Sequence, residues 1–355
     1  MLQLEIRYLL FSENGYVEPS QQDLSLPWLV APNLPHPNLR LGDVFHTVAN
    51  EIKNLIPGDL ACLSNFTPLV IKSEKHGPFY HIFSIGDLWR SLFCVSIAHT
   101  TQGKNTLKED FYNLKALRDK IGPFIPRCYG LREITMDGST EPLLMGVFEW
   151  LDGYHELHAC KAGETLYFEL WSPAGYQALS QKDVLNFFKN TSKILFLCCS
   201  PDTHERLSPW THITGDFVFN PNSTNPYQVK LTTVRGLRVW ANLPSDPHLR
   251  SVYAALLWLL ETLLINRVDR ERGVGELLLL PPFVLKATLE VLLDECLRYQ
   301  AFCTAYALLK HMDLEELRTL YEIVWDELDL NSEVERFLRD KIQDHLQDLL
   351  TLMRS

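Results

Sequence analysis

Residues 211–236, THITGDFVFNPNSTNPYQVKLTTVRG, hold the side chains whose types and spacing could do chemistry. A Gly-Asp pair ends in Asp216, an asparagine-rich loop follows with Asn220 and Asn222, and a short apolar segment comes next. Asp216 has no second carboxylate close behind it, because none occurs before Asp246. Aspartate and asparagine also favour turns, where they bond to their own backbone. The stretch therefore has either a chemical or a structural role.

Other catalytic motifs are absent from the sequence. It contains no G-x-S-x-G elbow, P-loop, H-E-x-x-H or G-x-G-x-x-G, the patterns of common hydrolase, nucleotide and zinc sites. His155 and His158 could share one face of a helix, but no third ligand completes a zinc pattern beside them. We therefore predict that these two side chains are solvated, and we predict no metal site from them.

The composition is that of an ordinary globular chain. Of the 355 residues, 46% are hydrophobic and 22% are charged, and the net charge is −11. Nucleic acids and anionic membranes are bound through clustered Lys and Arg, so we expect neither as a partner. The longest apolar runs are shorter than the roughly 20 residues of a membrane span. No secretory signal pattern opens the chain and no CxxC pair occurs, which predicts a soluble, cytoplasmic protein with reduced thiols.

Apolar periodicity separates a β-rich part of the chain from a helical part. Strands are predicted at 60–72, 79–85, 92–99, 128–135 and 143–151. A helix between the third and the fourth of them is predicted to begin at Thr106, which forms a capping-box signature with Glu109. Ser180 and Asp246 are predicted to cap the next two helices. The later helices are predicted at 181–198, 248–265, 282–299, 301–311, 314–328 and 332–353.

These elements predict an α+β fold in three parts. Residues 1–57 are interpreted as an N-terminal extension with a strand, a proline-punctuated segment and a helix that ends near Leu55. Residues 58–151 form a β-rich lobe, and residues 152–355 form a helical lobe that contains one short strand at 166–171.

The order of these elements resembles the protein-kinase-like superfamily, including its aminoglycoside-phosphotransferase branch. In GVFEWLDGYHEL, residues 146–157, an apolar-acidic-apolar pattern resembles the hinge between the two lobes of that family. The helix at 181–198 resembles the helix before the catalytic loop, and ITGDFVFNP resembles the loop H-G-D-x-x-x-x-N. The resemblance covers residues 80–353 in order and pattern. It implies a two-lobed protein-kinase-like fold with a small β-rich N-lobe and a large helical C-lobe.

The resemblance also implies roles for particular residues. Asp216 would be the catalytic base, and ATP and Mg²⁺ would be the cofactors. The cofactor-binding candidates are Glu149 and Asp152 at the hinge, Asn220 and Asn222 in the loop, and Glu109 on the helix of the small lobe.

Two assignments stay open at this stage. The family places a lysine on the third strand, where this chain has Ala98-His99, so that Lys104 or Lys72 would have to replace it. Alternatively, Gly215-Asp216-Phe217 would be the metal-binding turn, and Asp202 would be the base.

Several departures from the family argue against ordinary catalysis. Thr232, Thr233 and Val234 stand where the family has its metal-binding Asp-Phe-Gly, and a hydroxyl is a poor substitute for a carboxylate on Mg²⁺. Asn220 and Asn222 straddle the position of the metal-binding asparagine, and the glycine-rich loop that cradles phosphates is absent.

We therefore expect a pseudokinase, a binding or regulatory module whose partner is another protein, rather than an enzyme. One alternative is a divergent ATP-dependent phosphotransferase that acts on a small molecule or an atypical acceptor with Asp216 as base. A second alternative is a structural interaction protein that uses its C-terminal helices.

Overall fold

A computed structural model describes residues 5–12, 15–31, 33–55, 68–172, 175–208, 215–296, 298–328 and 332–354, which form a mixed α+β protein. The chain divides into two compact units. Unit 1 comprises Met1–Asp119 and Pro126–Gly153, and unit 2 comprises Lys120–Ile125 and Tyr154–Ser355. The first part of the predicted strand at 60–72 and the entry to the Asp216 loop at 211–214 lie outside the described residues.

Unit 1 contains a large sheet, a separate hairpin and three helices among its described residues. The strands are β1 (Ile6–Ser12), β2 (Gly15–Val17), β3 (Pro27–Ala31), β4 (Leu34–Arg40), β5 (Leu69–His76), β6 (His81–Gly86), β7 (Ser91–Ala98), β8 (Cys128–Ile134) and β9 (Leu143–Glu149). The helices are α1 (Gln21–Leu24), α2 (Leu41–Leu55) and α3 (Thr101–Ile121). The seven-stranded sheet has the order β2-β1-β5-β6-β7-β9-β8, in which β1 pairs in parallel with β5 and the other neighbours are antiparallel.

The core of unit 1 lies between the sheet, α2 and the β3–β4 hairpin. Alternate residues of a strand point to one face of the sheet, and Phe83 and Ile85 on β6 use that period to reach the core. Trp28 and Leu39 come from the hairpin, and Phe45 comes from α2. Residues from the predicted extension thus supply a large share of the buried apolar surface.

Unit 2 combines a second sheet with a group of helices. Its strands are β10 (His155–Ala162), β11 (Thr165–Ser172), β12 (Gly175–Ala178), β13 (Arg206–Leu207), β14 (Phe217–Phe219), β15 (Val229–Leu231), β16 (Leu237–Arg238), β17 (Val268–Arg270) and β18 (Leu277–Leu279). Its helices are α4 (Gln181–Cys198), α5 (Pro247–Ile265), α6 (Pro282–Cys296), α7 (Gln300–His311), α8 (Leu314–Glu327) and α9 (Ser332–Arg354). The five-stranded sheet is antiparallel, with the order β12-β11-β10-β14-β15.

Helix α5 is the central helix of unit 2. Asp246 caps it by accepting a hydrogen bond from the backbone N–H of Leu249 at 2.9 Å. Every residue from Ala254 to Ile265 is buried. Within the described part of the chain, α5 alone is long and apolar enough to cross a membrane, but 72% of the relevant window is buried inside the protein, as in the core helix of a globular unit.

The helices after residue 180 agree closely with their predictions. Ser180 caps α4 through the backbone N–H of Asp183, and Asp246 caps α5, as predicted. The predicted start of α3 was wrong, because the helix begins at Thr101 and Thr106 lies inside it. The hydroxyl of Thr100 accepts a hydrogen bond from the backbone N–H of Gly103 at 3.0 Å and so stabilises the earlier start.

The prediction that residues 152–178 belong to a helical lobe with one short strand also needs correction. This part of the chain is not helical but forms β10, β11 and β12, of which β11 was predicted as a short strand. β10 is a strand because it pairs along its length with β11 and through His155 and Glu156 with β14. His155 and His158 therefore point to opposite faces of a sheet, and they do not share a helical face.

Candidate functional site

The β14–β15 hairpin positions Asp216 in unit 2. Phe217 and Phe219 anchor β14 because both are fully buried, and Phe217 lies opposite Leu231 on β15. Gly215 has a φ of +87°, a left-handed conformation that glycine adopts without steric cost. The Gly-Asp turn therefore delivers the side chain of Asp216 at the beginning of a fixed strand.

The carboxylate of Asp216 is bound by the guanidinium of Arg235. Nη1 of Arg235 donates to Oδ2 at 3.1 Å, and Nη2 donates to Oδ1 at 2.9 Å. The side chain of Asp216 is only 7% exposed, and that of Arg235 is 34% exposed. A planar guanidinium matches both oxygens of a carboxylate, which makes this geometry strong and directional. Both oxygens of the predicted base are thus engaged.

Thr232 holds the backbone of Asp216. Its N–H donates to the carbonyl oxygen of Asp216 at 2.8 Å, and its hydroxyl lies 3.1 Å from the same oxygen. The resemblance described above would put the second metal-binding aspartate at this position. Its contacts bring the strand that precedes Arg235 alongside Asp216, so Thr232 supports the ion pair.

The asparagine-rich loop is bonded mainly to itself. Oδ1 of Asn220 accepts from the backbone N–H of Asn222 at 3.1 Å. Nε2 of Gln228 donates to the carbonyl oxygens of Pro221 and Ser223 at 3.3 and 2.9 Å. These are the local side-chain to backbone bonds that asparagine, serine and glutamine make in loops.

The structure keeps Asp216 apart from Asn220. The three residues of β14 lie between them, and four steps along a strand span about 13 Å at 3.3 Å per residue. Oxygen ligands of one Mg²⁺ lie about 2.1 Å from the ion. Asp216, the predicted base, and Asn220, a predicted cofactor-binding residue, therefore lie too far apart along the strand to bind one ion together.

Lys230 is a buried cation on the strand before Arg235, and the sequence prediction gave it no role in catalysis or cofactor binding. It lies on β15 opposite Val218, which in turn lies opposite Glu156 on β10, so the three side chains share one face of the sheet. Nζ of Lys230 lies 5.3 Å from the ring centre of Tyr154, a distance at which a cation is attracted by an aromatic face. A lysine in the apolar segment YQVKLT is the signal that could have identified it.

The candidates in unit 1 lie on different elements. Glu149 ends β9, where its Oε2 accepts from the backbone N–H of Arg127 at 3.0 Å and lies 3.9 Å from Arg118. Asp152 is exposed in the turn that follows, and Glu109 is exposed on α3.

The two candidate lysines of unit 1 contact other residues than Glu109. Lys104 forms an ion pair with Glu141 at 3.3 Å. Nζ of Lys72 lies 4.9 Å from the ring centre of Tyr16. Each lysine thus has another partner of its own.

Asp202, the alternative base of the sequence prediction, has ordinary surroundings. Asp202 is exposed in a turn before His204, and its charge raises the pKa of His204, whereas burial and Arg250 lower it more strongly. Among the described residues, no group of three or more His, Cys, Asp or Glu side chains is arranged to hold a metal ion.

Comparisons with known proteins do not place this chain in a family. A scan against models of protein families finds no match, and a search of curated proteins finds none either.

Proposed function

We propose that this chain is a kinase-like module that binds or regulates another protein and does not transfer phosphate. The bidentate ion pair of Asp216 with Arg235 carries this proposal. A catalytic base must be able to accept a proton from the nucleophile, and a carboxylate whose two oxygens both accept from one guanidinium is poorly placed to do so. In this proposal Asp216 has a structural role.

The element order supports the kinase-like part of the proposal. In unit 1, β5, β6 and β7 are followed by α3 and then by β8 and β9, and these strands are neighbours in the order β5-β6-β7-β9-β8. In unit 2, a long helix comes before the Asp216 turn, and α5 comes after it. This is the succession on which the resemblance depends.

The test compares nucleotide binding and turnover in the wild type with those in Asp216→Asn. Melting temperature and phosphate release are measured with ATP and either Mg²⁺ or Mn²⁺. We expect no turnover above the buffer rate in either protein, and the same response to nucleotide in both. Turnover that disappears in Asp216→Asn, while Asp202→Asn retains it, would show that Asp216 is a working base and that the chain is a divergent phosphotransferase.

A binding role needs a surface, and the tip of the β6–β7 hairpin offers one. Trp89 is 91% exposed and follows Leu88, which is 44% exposed. Oδ1 of Asp87 accepts from the backbone N–H groups of Trp89 and Arg90 at 2.7 and 2.8 Å, and these bonds constrain the turn. An exposed tryptophan on a constrained turn is the kind of anchor that dominates protein interfaces.

The C-terminal helices are less suited to that role. Their apolar faces are used inside unit 2, where the following side chains are buried: Leu317, Tyr321, Val324, Leu338, Ile342, Leu346 and Leu349.

For any partner that binds this chain, we expect Trp89→Ser to lower the affinity at least tenfold. Tyr112→Ser, which changes an exposed aromatic residue of α3, is the matched control and should leave the affinity unchanged.

A further inference from the structure

Histidines gather around the β3–β4 hairpin of unit 1. His36 lies on β4, His76 ends β5, His81 begins β6, and His99 follows β7. The ring centres of His36 and His99 are 4.7 Å apart, and those of His76 and His81 are 5.0 Å apart. Trp28 on β3 lies between the two pairs, with its ring centre 6.4 Å from His36 and 6.3 Å from His99. We call these four residues the hairpin histidines.

His81 joins the hairpin to the sheet through an acceptor nitrogen. Nε1–H of Trp28 donates to Nδ1 of His81 at 3.0 Å. An indole nitrogen can only donate, so Nδ1 of His81 must carry no proton. The ring is buried, it stacks on Phe83 at 4.2 Å, and its Nε2 lies 2.7 Å from the hydroxyl of Ser73. If Nδ1 carried a proton, it would face the N–H of Trp28 as a second donor, and this hydrogen bond would be lost.

His36 depends on an acceptor nitrogen in the same way. Its Nδ1 accepts from the backbone N–H groups of Asn38 and Leu39 at 3.1 and 2.9 Å. These bonds shape β4 as it approaches α2, and Leu39 is fully buried in the core. A proton on Nδ1 would leave two N–H groups without their acceptor, at a cost that burial increases.

His76 differs from the other two. Its Nδ1 faces the carbonyl oxygen of Gly77 at 2.9 Å, and its Nε2 contacts the carbonyl oxygen of Leu29 on β3. Both contacts are satisfied when both nitrogens carry protons. His76 can therefore gain a proton without losing a bond, but its charge would then lie beside His81.

The charged groups around the cluster do little to stabilise added protons. Lys104 acts against protonation of His99, while Glu141, which pairs with Lys104, favours it. On β5, Glu74 raises and Lys75 lowers the pKa of Cys94. Cys94 alternates with the core residues Phe93 and Val95 and so points to the other face of the sheet.

Burial is the first cause that lowers the pKa of each hairpin histidine. It lowers the pKa of His81 to about 3, with a smaller effect from His76. It also lowers the pKa values of His36, His76 and His99. The folded cluster is therefore neutral at pH 7, which agrees with the acceptor roles of His36 and His81.

We propose that the hairpin histidines are an acid-sensitive latch, in which protonation of His36 and His81 detaches the β3–β4 hairpin from the sheet and exposes Trp28. Detachment lets both rings reach water as imidazolium ions. It would uncover an apolar face formed by Trp28, Val30 and Leu39, which are 2%, 6% and 0% exposed when the hairpin is closed. The latch does not depend on whether the chain transfers phosphate.

Amide hydrogen exchange of the full-length chain tests the latch. Exchange is measured at pH 7.5 and pH 5.0 and corrected for the intrinsic rate at each pH. Below pH 6.5 the open fraction should rise up to about tenfold per pH unit for each histidine that opening releases. We therefore expect at least a tenfold loss of protection across residues 27–40 at pH 5.0, with smaller changes in β7 and β9. Unchanged protection of 27–40 would overturn the proposal.

A variant that keeps the acceptors but cannot titrate gives the decisive comparison. Asparagine places Oδ1 near the position of Nδ1, so His36→Asn with His81→Asn should retain the closed hairpin at pH 5.0. His46→Asn, which changes an exposed histidine of α2, is the control and should open as the wild type does. Equal opening of the double variant and the wild type would contradict the latch.

A second measurement covers the case in which the double variant does not fold. The imidazole proton signals of the wild-type chain are titrated by NMR between pH 7.5 and 4.5. We expect the signals of His36 and His81 to change together with those of Trp28, as the hairpin opens. Titration of both rings near pH 6.5, with Trp28 unmoved, would show that they gain protons in the closed structure and would overturn the proposal.

Discussion

Two buried polar sites, one in each unit, solve the same problem in opposite ways. In unit 1 the buried rings of His36 and His81 are neutral and accept hydrogen bonds. In unit 2 Arg206 and Glu261 form a buried ion pair, at 2% and 3% side-chain exposure and 2.7 Å apart. A neutral acceptor nitrogen stops accepting when it takes up a proton, whereas a buried charge becomes uncompensated when its partner is removed. The difference predicts that the histidine site responds to acid and that the ion pair responds to substitution.

The largest effect is expected from Arg206→Met. The guanidinium of Arg206 binds Oε2 of Glu261 and lies 3.5 Å from the ring centre of Trp240. The pKa of Glu261 is about 7, so unfolding by urea is measured at about pH 8, where the carboxylate is ionised. Removal of one partner of a buried pair then leaves an uncompensated charge, and we expect a loss of about 3–5 kcal/mol in the free energy of unfolding.

The double variant Arg206→Met with Glu261→Leu is the control for that experiment. It removes both charges, so most of the stability should return. A loss below about 1 kcal/mol for Arg206→Met would place this pair with the weak surface pairs and would remove the contrast between the units.

Acid should act on the contributions of His81 and Glu261 with opposite signs. His81 has a pKa of about 3 in the folded chain against an ordinary value near 6.5, so the unfolded chain takes up the proton first and stability falls as the pH drops below 6.5. Between pH 6.5 and 5.0 this amounts to about 1.5 kcal/mol from His81 alone.

Glu261 should shift the stability of unit 2 the other way. Burial raises its pKa to about 7, although Arg206 lowers it, and its Oε1 is buried without a hydrogen-bond partner among the described atoms. A raised pKa contributes stability that is present below pH 4.5 and is lost as the pH rises through about 7. Amide exchange in β6 at pH 5.0 and 7.5 measures the effect of His81. In α5 the same change in pH is applied to the wild type and to Glu261→Gln, which removes the contribution of the carboxylate. An equal change in protection of α5 in both proteins would contradict this prediction.

A smaller effect is expected from Asp216→Asn. The variant keeps one oxygen acceptor for Arg235 but removes the charge, and Arg235 is about one third exposed, so water weakens the pair. We expect a loss of about 1 kcal/mol in the free energy of unfolding. Asp202→Asn, which changes an exposed turn residue, should change the free energy by less. No measurable loss for Asp216→Asn would argue against a structural role for the ion pair.

The smallest effect is expected at the surface of the C-terminal helices. Arg339 and Glu322 lie 2.7 Å apart, with side chains that are 42% and 49% exposed. Glu322→Gln should cost less than about 0.5 kcal/mol, because solvent screens the attraction and ordering two long side chains is unfavourable. A loss as large as that of Arg206→Met would show that burial does not govern the strength of ion pairs in unit 2.

The sequence predicted the elements whose signals are local. Ser180 and Asp246 were assigned correctly as helix caps because the cap bonds to an N–H only three residues away. The order of β5, β6, β7, α3, β8 and β9 was also predicted correctly, whereas β2, α1, β3 and β4 were not predicted. The capping box at Thr106 and Glu109 was wrong, because its local signature is also compatible with the interior of a helix that Thr100 begins.

The sequence identified the polar residues of the site, but it did not predict which of them contact one another. Asp216 and the asparagines were singled out by type and spacing. The partner of Asp216 is Arg235, which reaches it only after β14 and β15 pair. Similarly, β10 is a strand because β11 and β14 supply its hydrogen bonds, and such non-local pairing overrides the weak preference of a short segment.

By itself, the sequence determined a mixed α+β protein with its helices, several of its caps and an acidic overall charge. Only the tertiary structure decided that both oxygens of Asp216 accept from Arg235 and that a strand separates Asp216 from Asn220. It alone decided that the hairpin histidines meet around Trp28. The physical reason is that hydrogen bonds within a helix close between neighbours in sequence, whereas these contacts join residues that only the folded sheets bring together.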